Sequence, residues 1–192
     1  MTFLVNPLAL TVDGFRDFVA TKKWPHWRPS HLCWHNTGEP DLTQWRHFGL
    51  GHAAAVQRAR NLNHYYAHQM GWHSGPHLFI APDLIIVACD LEADGVHASC
   101  FNHVSIGIEM VGHYDVEDFE NGDGNKVQQN SLAASAILSR ALGLKPESLL
   151  FHRECLRDRK TCPGARIDKP TMVKRLAAAI DHEAVYAVSH AA

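Results

Sequence analysis

The sequence predicts an α/β fold in which helices flank a mixed central β-sheet. Short apolar runs with strand character alternate with segments whose apolar residues recur at helical spacing. The chain has 192 residues, which is near the size of one domain. No internal repeat, low-complexity tract or Gly/Ser-rich linker divides it. We therefore expect residues 1–192 to form a single domain.

Strands are expected at the apolar runs 31–37, 76–81, 84–89 and 104–111, with a shorter extended segment at 149–152. Pro82 and Asp83 separate the second run from the third, which predicts a β-hairpin. The run 104–111 is apolar at nearly every position, as is typical of a central strand that is buried on both faces.

Helices are expected at residues 12–21, 52–70 and 127–142 and from Pro170 onward, with loops at 115–126 and 153–168. Asp41 and Gln44 have the spacing of a capping pair at the start of a helical turn. The apolar stripe of residues 52–70 includes Tyr66 and Met70, and we interpret it as core packing. Gly143 follows the third helix in the position typical of a C-terminal stop.

The composition indicates a soluble globular protein, with 46% apolar and 20% charged residues. Because 18 Lys and Arg stand against 20 Asp and Glu, a strongly basic nucleic-acid binder is excluded. The apolar runs are much shorter than the roughly 18 residues of a membrane span. The first ten residues lack the positive region and the cleavage site of a secretory signal. We therefore expect a cytoplasmic protein, and a monomer, although the sequence leaves the oligomeric state open.

The five cysteines are odd in number and show no disulfide framework spacing. This pattern suits a reduced compartment, in which a special cysteine acts as a ligand or a nucleophile. We expect four of them to be unpaired, namely Cys33, Cys89, Cys100 and Cys155. Cys33 lies two residues from His35 on the same strand face, which makes it a candidate for the wall of a site.

Ionisable residues fall at the ends of the expected strands, where open sheets present their sites. His35 ends the first strand, Glu109 interrupts the run 104–111, and His152 ends the segment 149–152. Two histidines and Cys162 suit zinc, which takes imidazole nitrogen and thiolate together and can keep a fourth position for water. From spacing alone, the alternative that His35 is a core histidine and Cys162 an inert buried thiol stays open.

Four segments together resemble a known family. They are Trp-His-Asn-Thr at 34–37, Gly-Trp-His-Ser-Gly-Pro-His-Leu-Phe-Ile at 71–80, Asn-His-Val-Ser-Ile-Gly-Ile-Glu-Met-Val-Gly at 102–112, and Phe-His-Arg-Glu through Lys-Thr-Cys-Pro-Gly at 151–164. They resemble the zinc-dependent N-acetylmuramoyl-L-alanine amidases, which share a fold with the peptidoglycan recognition proteins and the amidase-type phage lysozymes. The resemblance covers roughly residues 30–182 and implies that fold, one catalytic domain and a bound Zn²⁺.

The resemblance also implies roles for individual residues. It matches His35, His152 and Cys162 to the zinc ligands. Lys160 matches the lysine that stabilises the oxyanion, and Glu109 matches the glutamate that accepts a proton. A further match places His97 beside the substrate cleft.

Other candidates for the substrate groove are Trp72, His73 and Asn102, since sugars stack on indoles and amides bond to Asn. For Trp72, core packing is an equal alternative. His77 lies among apolar residues and is expected to be a hydrogen-bonded histidine of the core or behind the ligands. Many relatives carry a tyrosine where this chain has Pro76. The role of that tyrosine therefore cannot be assigned to this chain, which makes Glu109 the main candidate for proton transfer.

These observations predict an enzyme that cleaves the amide bond between N-acetylmuramic acid and L-alanine in peptidoglycan. The expected setting is a bacteriolytic phage or prophage endolysin that is made in the cytoplasm and released by a holin. A cytosolic amidase that recycles anhydro-muropeptides remains the first alternative. A module that binds peptidoglycan without cutting it is the second, but such modules typically lose the cysteine ligand, and Cys162 is present.

Overall fold

A mixed six-stranded sheet organises the computed structural model, which describes residues 3–189. Its strands are β1 (Phe3–Leu10), β2 (His31–Asn36), β3 (Leu78–Ile80), β4 (Ile85–Cys89), β5 (Ser105–Met110) and β6 (Leu149–Phe151). The helices are α1 (Val12–Ala20), α2 (Leu42–His47), α3 (His52–His68), α4 (Gly122–Leu142) and α5 (Lys169–Ser189), with 3₁₀ turns at Pro146–Ser148 and His152–Glu154. The predicted fold class, helices around a mixed sheet, is confirmed.

The sheet has the strand order β1-β4-β3-β5-β2-β6. Its first half is antiparallel, because β4 pairs in this way with both β1 and β3. Its second half is parallel, because β5 pairs with β3 and β2, and β2 also pairs with β6. The parallel half brings the carboxyl ends of β2, β5 and β6 to one edge, where open sheets place their binding sites.

Helices cover the two faces of the sheet unequally. One face packs into the larger core, in which Trp34 stacks on Phe151 and its indole N–H donates to Ser135 of α4. On the other face, α3 packs over β1 and β4 at the antiparallel end. A smaller core around Phe79 and Ile86 forms there. On that second face, a cleft lies at the parallel half of the sheet and is lined by side chains of β2 and β5.

The sequence did not predict two features of the backbone. Residues Phe3–Leu10 form an edge strand on β4, with an irregular register between Phe3 and Leu8 that accommodates Pro7. Helix α4 starts at Gly122, inside the segment that was expected to be a loop. The expected capping pair is present, since Asp41 and Gln44 form a complete capping box at α2.

The expectation of four unpaired cysteines is wrong for two of them. Cys100 and Cys155 form a disulfide across 55 residues of sequence, with their Cα atoms 5.5 Å apart. Cys33, Cys89 and Cys162 are free. Spacing along the chain gave no sign of this pairing, because only the fold brings the loop before β5 against the turn after β6. Among the helices of residues 3–189, none has both the length and the apolar character needed to cross a bilayer.

Candidate metal and catalytic centre

The predicted chemistry-bearing residues meet at the carboxyl edge of the parallel strands. His35 on β2 lies directly beside Glu109 on β5 in the parallel register. His152 immediately follows β6. These side chains open into a cleft of about 310 Å³. Seven of the nine predicted site residues line it: His35, Trp72, His97, Glu109, His152, Lys160 and Cys162.

The two remaining candidates lie elsewhere. His73 is exposed and does not line the cleft. The side-chain oxygen of Asn102 accepts hydrogen bonds from the backbone N–H groups of His97 (2.9 Å) and Ala98 (2.8 Å). Asn102 therefore shapes the loop that carries His97, a contact with the protein itself and not with the groove.

His35, His152 and Cys162 form a group whose ligand atoms all lie within 4.8 Å of one another. The Nδ1 atoms of the two histidines face each other at 3.0 Å. The other nitrogen of His152, Nε2, lies 2.9 Å from a carboxylate oxygen of Asp158. A carboxylate only accepts, so Nε2 carries the proton, and a neutral His152 turns the lone pair of Nδ1 towards His35.

This donor set fits zinc. Two imidazole nitrogens and one thiolate are ligands that a borderline-soft dication prefers, and three protein ligands are typical of a catalytic site. The carboxylate behind His152 is the usual partner of a zinc-bound histidine, because it fixes the ring's tautomer and orientation. Without a cation, burial raises the pKa of the Cys162 thiol. A metal would reverse that preference, since a coordinated thiol is deprotonated.

A second group of possible ligands shares His35 and consists of Cys33, His35 and His97. Cys33 is fully buried and does not line the cleft. Burial also raises the pKa of its thiol well above the usual value. The expectation that Cys33 lines the site is therefore not met.

Glu109 is the carboxyl group at the base of the cleft. Burial raises its pKa to about 8. Within residues 3–189, no hydrogen bond or ion pair engages its carboxylate, so no cation offsets the cost of charging it. A carboxyl that titrates near neutrality beside a metal-ligand set is suited to proton transfer.

Lys160 lies on an exposed loop at the rim of the cleft. The carboxylate of Asp115 holds this loop, because it accepts hydrogen bonds from the Thr161 hydroxyl (2.7 Å) and the Ala165 backbone N–H (2.6 Å). On the inner side, the Arg153 backbone N–H donates to the Cys162 carbonyl at 2.7 Å. These bonds fix the loop on both sides of Cys162 and bring its thiol to the histidines.

Pro76, the position at which the resemblance implied a tyrosine in relatives, is buried at the wall of the cleft. A different tyrosine lines the same cleft: Tyr66, on α3, stacks on Trp72 with ring centroids 5.2 Å apart. Burial raises the pKa of its phenol, and the Glu109 charge adds to the effect, so Tyr66 stays protonated. Its helical stripe was interpreted as core packing, and Tyr66 does pack on the smaller core. Met70, from the same stripe, is 45% exposed and lies outside that core.

Sequence reasoning missed several residues of the site, namely Tyr66, His113, Asp115 and Asp158. Tyr66 was hidden in an apolar helical pattern. His113 and Asp115 lie just after the 102–112 segment, and Asp158 lies in the loop between His152 and Cys162. Their closeness in sequence to motif residues was the signal that could have pointed to them.

The chain belongs to the N-acetylmuramoyl-L-alanine amidase family, whose model matches residues 26–165. This match spans all of the ligand and cleft residues described above. No curated protein sequence matches the chain.

Solved structures share the fold at low sequence identity. Drosophila PGRP-LB is 19% identical and aligns over 73% of this chain and 78% of its own, with a TM-score of 0.60. The endolysin N-acetylmuramoyl-L-alanine amidase LysCS from Clostridium intestinale URNW is 20% identical over 78% and 84%, with a TM-score of 0.59. A mutant endolysin from Bacillus subtilis is 20% identical over 80% and 86%, with a TM-score of 0.54. The predicted family and its fold are confirmed.

Proposed function

We propose that this protein is a zinc-dependent hydrolase of the amide bond between N-acetylmuramic acid and L-alanine in peptidoglycan, acting as a phage or prophage endolysin. The observation that carries the proposal is the convergence of a His-His-Cys ligand group with Glu109 and Lys160 in one cleft. Membership of the amidase family supports the same bond as the target.

His35, His152 and Cys162 would hold the zinc ion. When bound, zinc polarises the scissile carbonyl and lowers the pKa of a water ligand. The remaining chemistry falls to the chain itself. Glu109 accepts a proton from the attacking water and returns it to the leaving amine, a role for which a pKa of about 8 is suitable.

Lys160 contributes charge at the rim of the cleft. Negative charge develops on the carbonyl oxygen as water adds, and an ammonium group close to that oxygen stabilises the transition state. The stacked rings of Tyr66 and Trp72 supply a flat apolar wall on the side of the cleft, suited to the apolar face of a sugar or to a peptide. These features favour a muropeptide as the substrate.

The Cys100–Cys155 disulfide supports action outside the reducing cytoplasm. An endolysin is made in the cytoplasm and reaches the wall after release. Its cysteines would then be reduced during synthesis and would pair where the enzyme acts. A cytosolic recycling amidase would keep both thiols reduced, so the disulfide favours the endolysin setting over that alternative.

The test is a digest of purified sacculi, with the new ends identified by mass spectrometry. The proposal expects free L-alanine amino termini, loss of activity on chelation and recovery with zinc. Cys162→Ala is the matched control, because it removes one ligand and leaves Glu109 and Lys160 in place. New reducing sugars, or full activity of zinc-free protein, would contradict the proposal. Soluble anhydro-muropeptides assayed in parallel distinguish the two settings, since a recycling enzyme prefers them to intact sacculi.

A further inference from the structure

We propose that His97 is a positioning residue that selects which nitrogen of His35 faces the metal, an inference that rests on the proposed zinc site. It differs from the role beside the substrate that the sequence suggested. His97 contacts His35 directly: Nδ1 of His97 lies 3.0 Å from Nε2 of His35, and the two rings meet edge to face. The other nitrogen of His97 lies 3.2 Å from the backbone carbonyl of Ser105.

The proton positions follow from these contacts. A carbonyl oxygen only accepts hydrogen bonds, so Nε2 of His97 carries the proton that bonds to Ser105. In the neutral ring, whose single proton is the one on Nε2, Nδ1 is an acceptor. Nε2 of His35 must then donate to it. A neutral His35 therefore presents the lone pair of Nδ1, which is the atom that faces His152.

The fold is built to hold His97 at this place. A Cβ on Gly107 would lie 2.5 Å from the His97 ring, so only glycine at this position of β5 lets the ring lie against the strand. The backbone of His97 is held from the other side by the Asn102 side chain. Gly107 is the glycine of the Ser-Ile-Gly-Ile-Glu string, and this contact supplies a physical reason for it.

The same arrangement disfavours His97 as a metal ligand. If Nδ1 of His97 bound a metal together with Cys33, Nε2 of His35 would have to lose its proton and Nδ1 would gain it. The lone pair of His35 would then point towards His97 and away from His152, so His152 and Cys162 would lose their common ligand. The Ser105 contact and the open cleft both favour the first arrangement.

The test compares His97→Leu and His97→Asn with the control His73→Asn, which alters an exposed histidine outside the cleft. Zinc affinity is measured on the full chain by competition with a fluorescent chelator. His97→Leu should weaken zinc binding by about 10- to 100-fold, the usual effect of losing a partner behind a metal ligand. His97→Asn, whose amide oxygen can accept near the position of Nδ1, should recover most of that loss. The control should bind zinc like the unaltered chain.

A second readout does not depend on zinc. ¹⁵N NMR of the metal-free chain should show His35 protonated at Nε2, and His97→Leu should abolish this preference while His97→Asn keeps it. Unaltered zinc affinity with a raised KM in His97→Leu would overturn the proposal in favour of a substrate contact. Loss of zinc in both His97 variants, with zinc retained by Cys162→Ala, would overturn it in favour of a direct ligand. If the unaltered chain binds no zinc, the proposed function fails, while the NMR result still decides the role of His97.

Discussion

Glu109→Gln should make the metal-free protein more stable at alkaline pH. Burial raises the pKa of this carboxyl to about 8 in the fold, against an ordinary value of 4.5. Below pH 4.5 the carboxyl is protonated in both the folded and the unfolded chain, so its ionisation does not lower the free energy of unfolding. As the pH rises from 4.5 through 8, the unfolded chain releases the proton first, and the fold loses stability. The glutamine side chain of the variant cannot titrate, so the free energy of unfolding of the variant does not fall in this way.

The size of the effect follows from the two pKa values. The full difference corresponds to at most about 5 kcal/mol of unfolding free energy above pH 8. One side of the carboxyl opens into the cleft, where water screens part of the charge. We therefore expect about 2–3 kcal/mol at pH 9. No cation or hydrogen-bond donor among residues 3–189 offsets this cost at the Glu109 carboxylate.

The assay is urea unfolding of both proteins in the presence of a chelator at pH 5 and pH 9. The two unfolding curves should lie close together at pH 5 and separate at pH 9, with the variant more stable. Buried histidines such as His35 are present in both proteins, so their contribution cancels. A variant that is less stable at pH 9, or a difference that does not change with pH, would refute the reasoning, because Glu109 would then have a stabilising partner.

The same variant tests catalysis when it is loaded with zinc. General acid–base catalysis typically contributes at least about a hundred-fold in rate, so the rate of Glu109→Gln should fall by at least that factor. Its zinc content should match that of the unaltered enzyme. A destabilised variant with a nearly intact rate would contradict the assignment of Glu109 as the proton carrier.

Three further predictions concern other parts of the site. Lys160→Ala should keep zinc and stability but lose about a hundred- to a thousand-fold in kcat. The control Arg157→Ala, which removes a charge from the same loop, should keep the rate. A Lys160 variant within about threefold of normal activity would exclude the oxyanion role. Replacing Cys100 and Cys155 together by Ser should lower the free energy of unfolding by about 3–4 kcal/mol, because the disulfide no longer closes a 55-residue loop in the unfolded chain. The Tm should fall by roughly 6–16 °C. A phosphine reductant should produce the same Tm shift in the unaltered protein and no shift in the variant. Tyr66→Ala, which removes one of the two stacked rings of the cleft wall, should raise KM by up to about tenfold with unchanged zinc affinity, while Tyr66→Phe, which keeps the ring, should leave KM unchanged. An unchanged KM in Tyr66→Ala would assign Tyr66 to core packing alone.

The elements that the sequence predicted are those with strong local patterns. The run 104–111 and helix α1 were located to within a residue or two, because a continuous apolar run marks a strand that is buried on both faces and a single apolar stripe marks a helix. The start of α4 was missed because the segment 115–126 is acidic and rich in Gly and Asn, a composition typical of a surface loop, and Gly124 belongs to it. In the fold, that glycine lets the first turn pack against the preceding segment: a Cβ there would lie 1.9 Å from the Asp118 carbonyl oxygen. Strand β1 was missed because an edge strand with Pro7 depends on its partner β4 for its order.

The sequence by itself determined the fold class, the family resemblance and the main chemical candidates, since metal-ligand types and strand periodicity are readable residue by residue. Only the tertiary structure decided how these parts act together. It paired Cys100 with Cys155, brought Tyr66 of α3 into the cleft and placed Asp158 behind His152. It also left Glu109 without a counter-charge at the base of the cleft. These features depend on distances between segments far apart in the chain and on the exclusion of water from a shared interior. The sequence neighbours of a single residue determine neither of them.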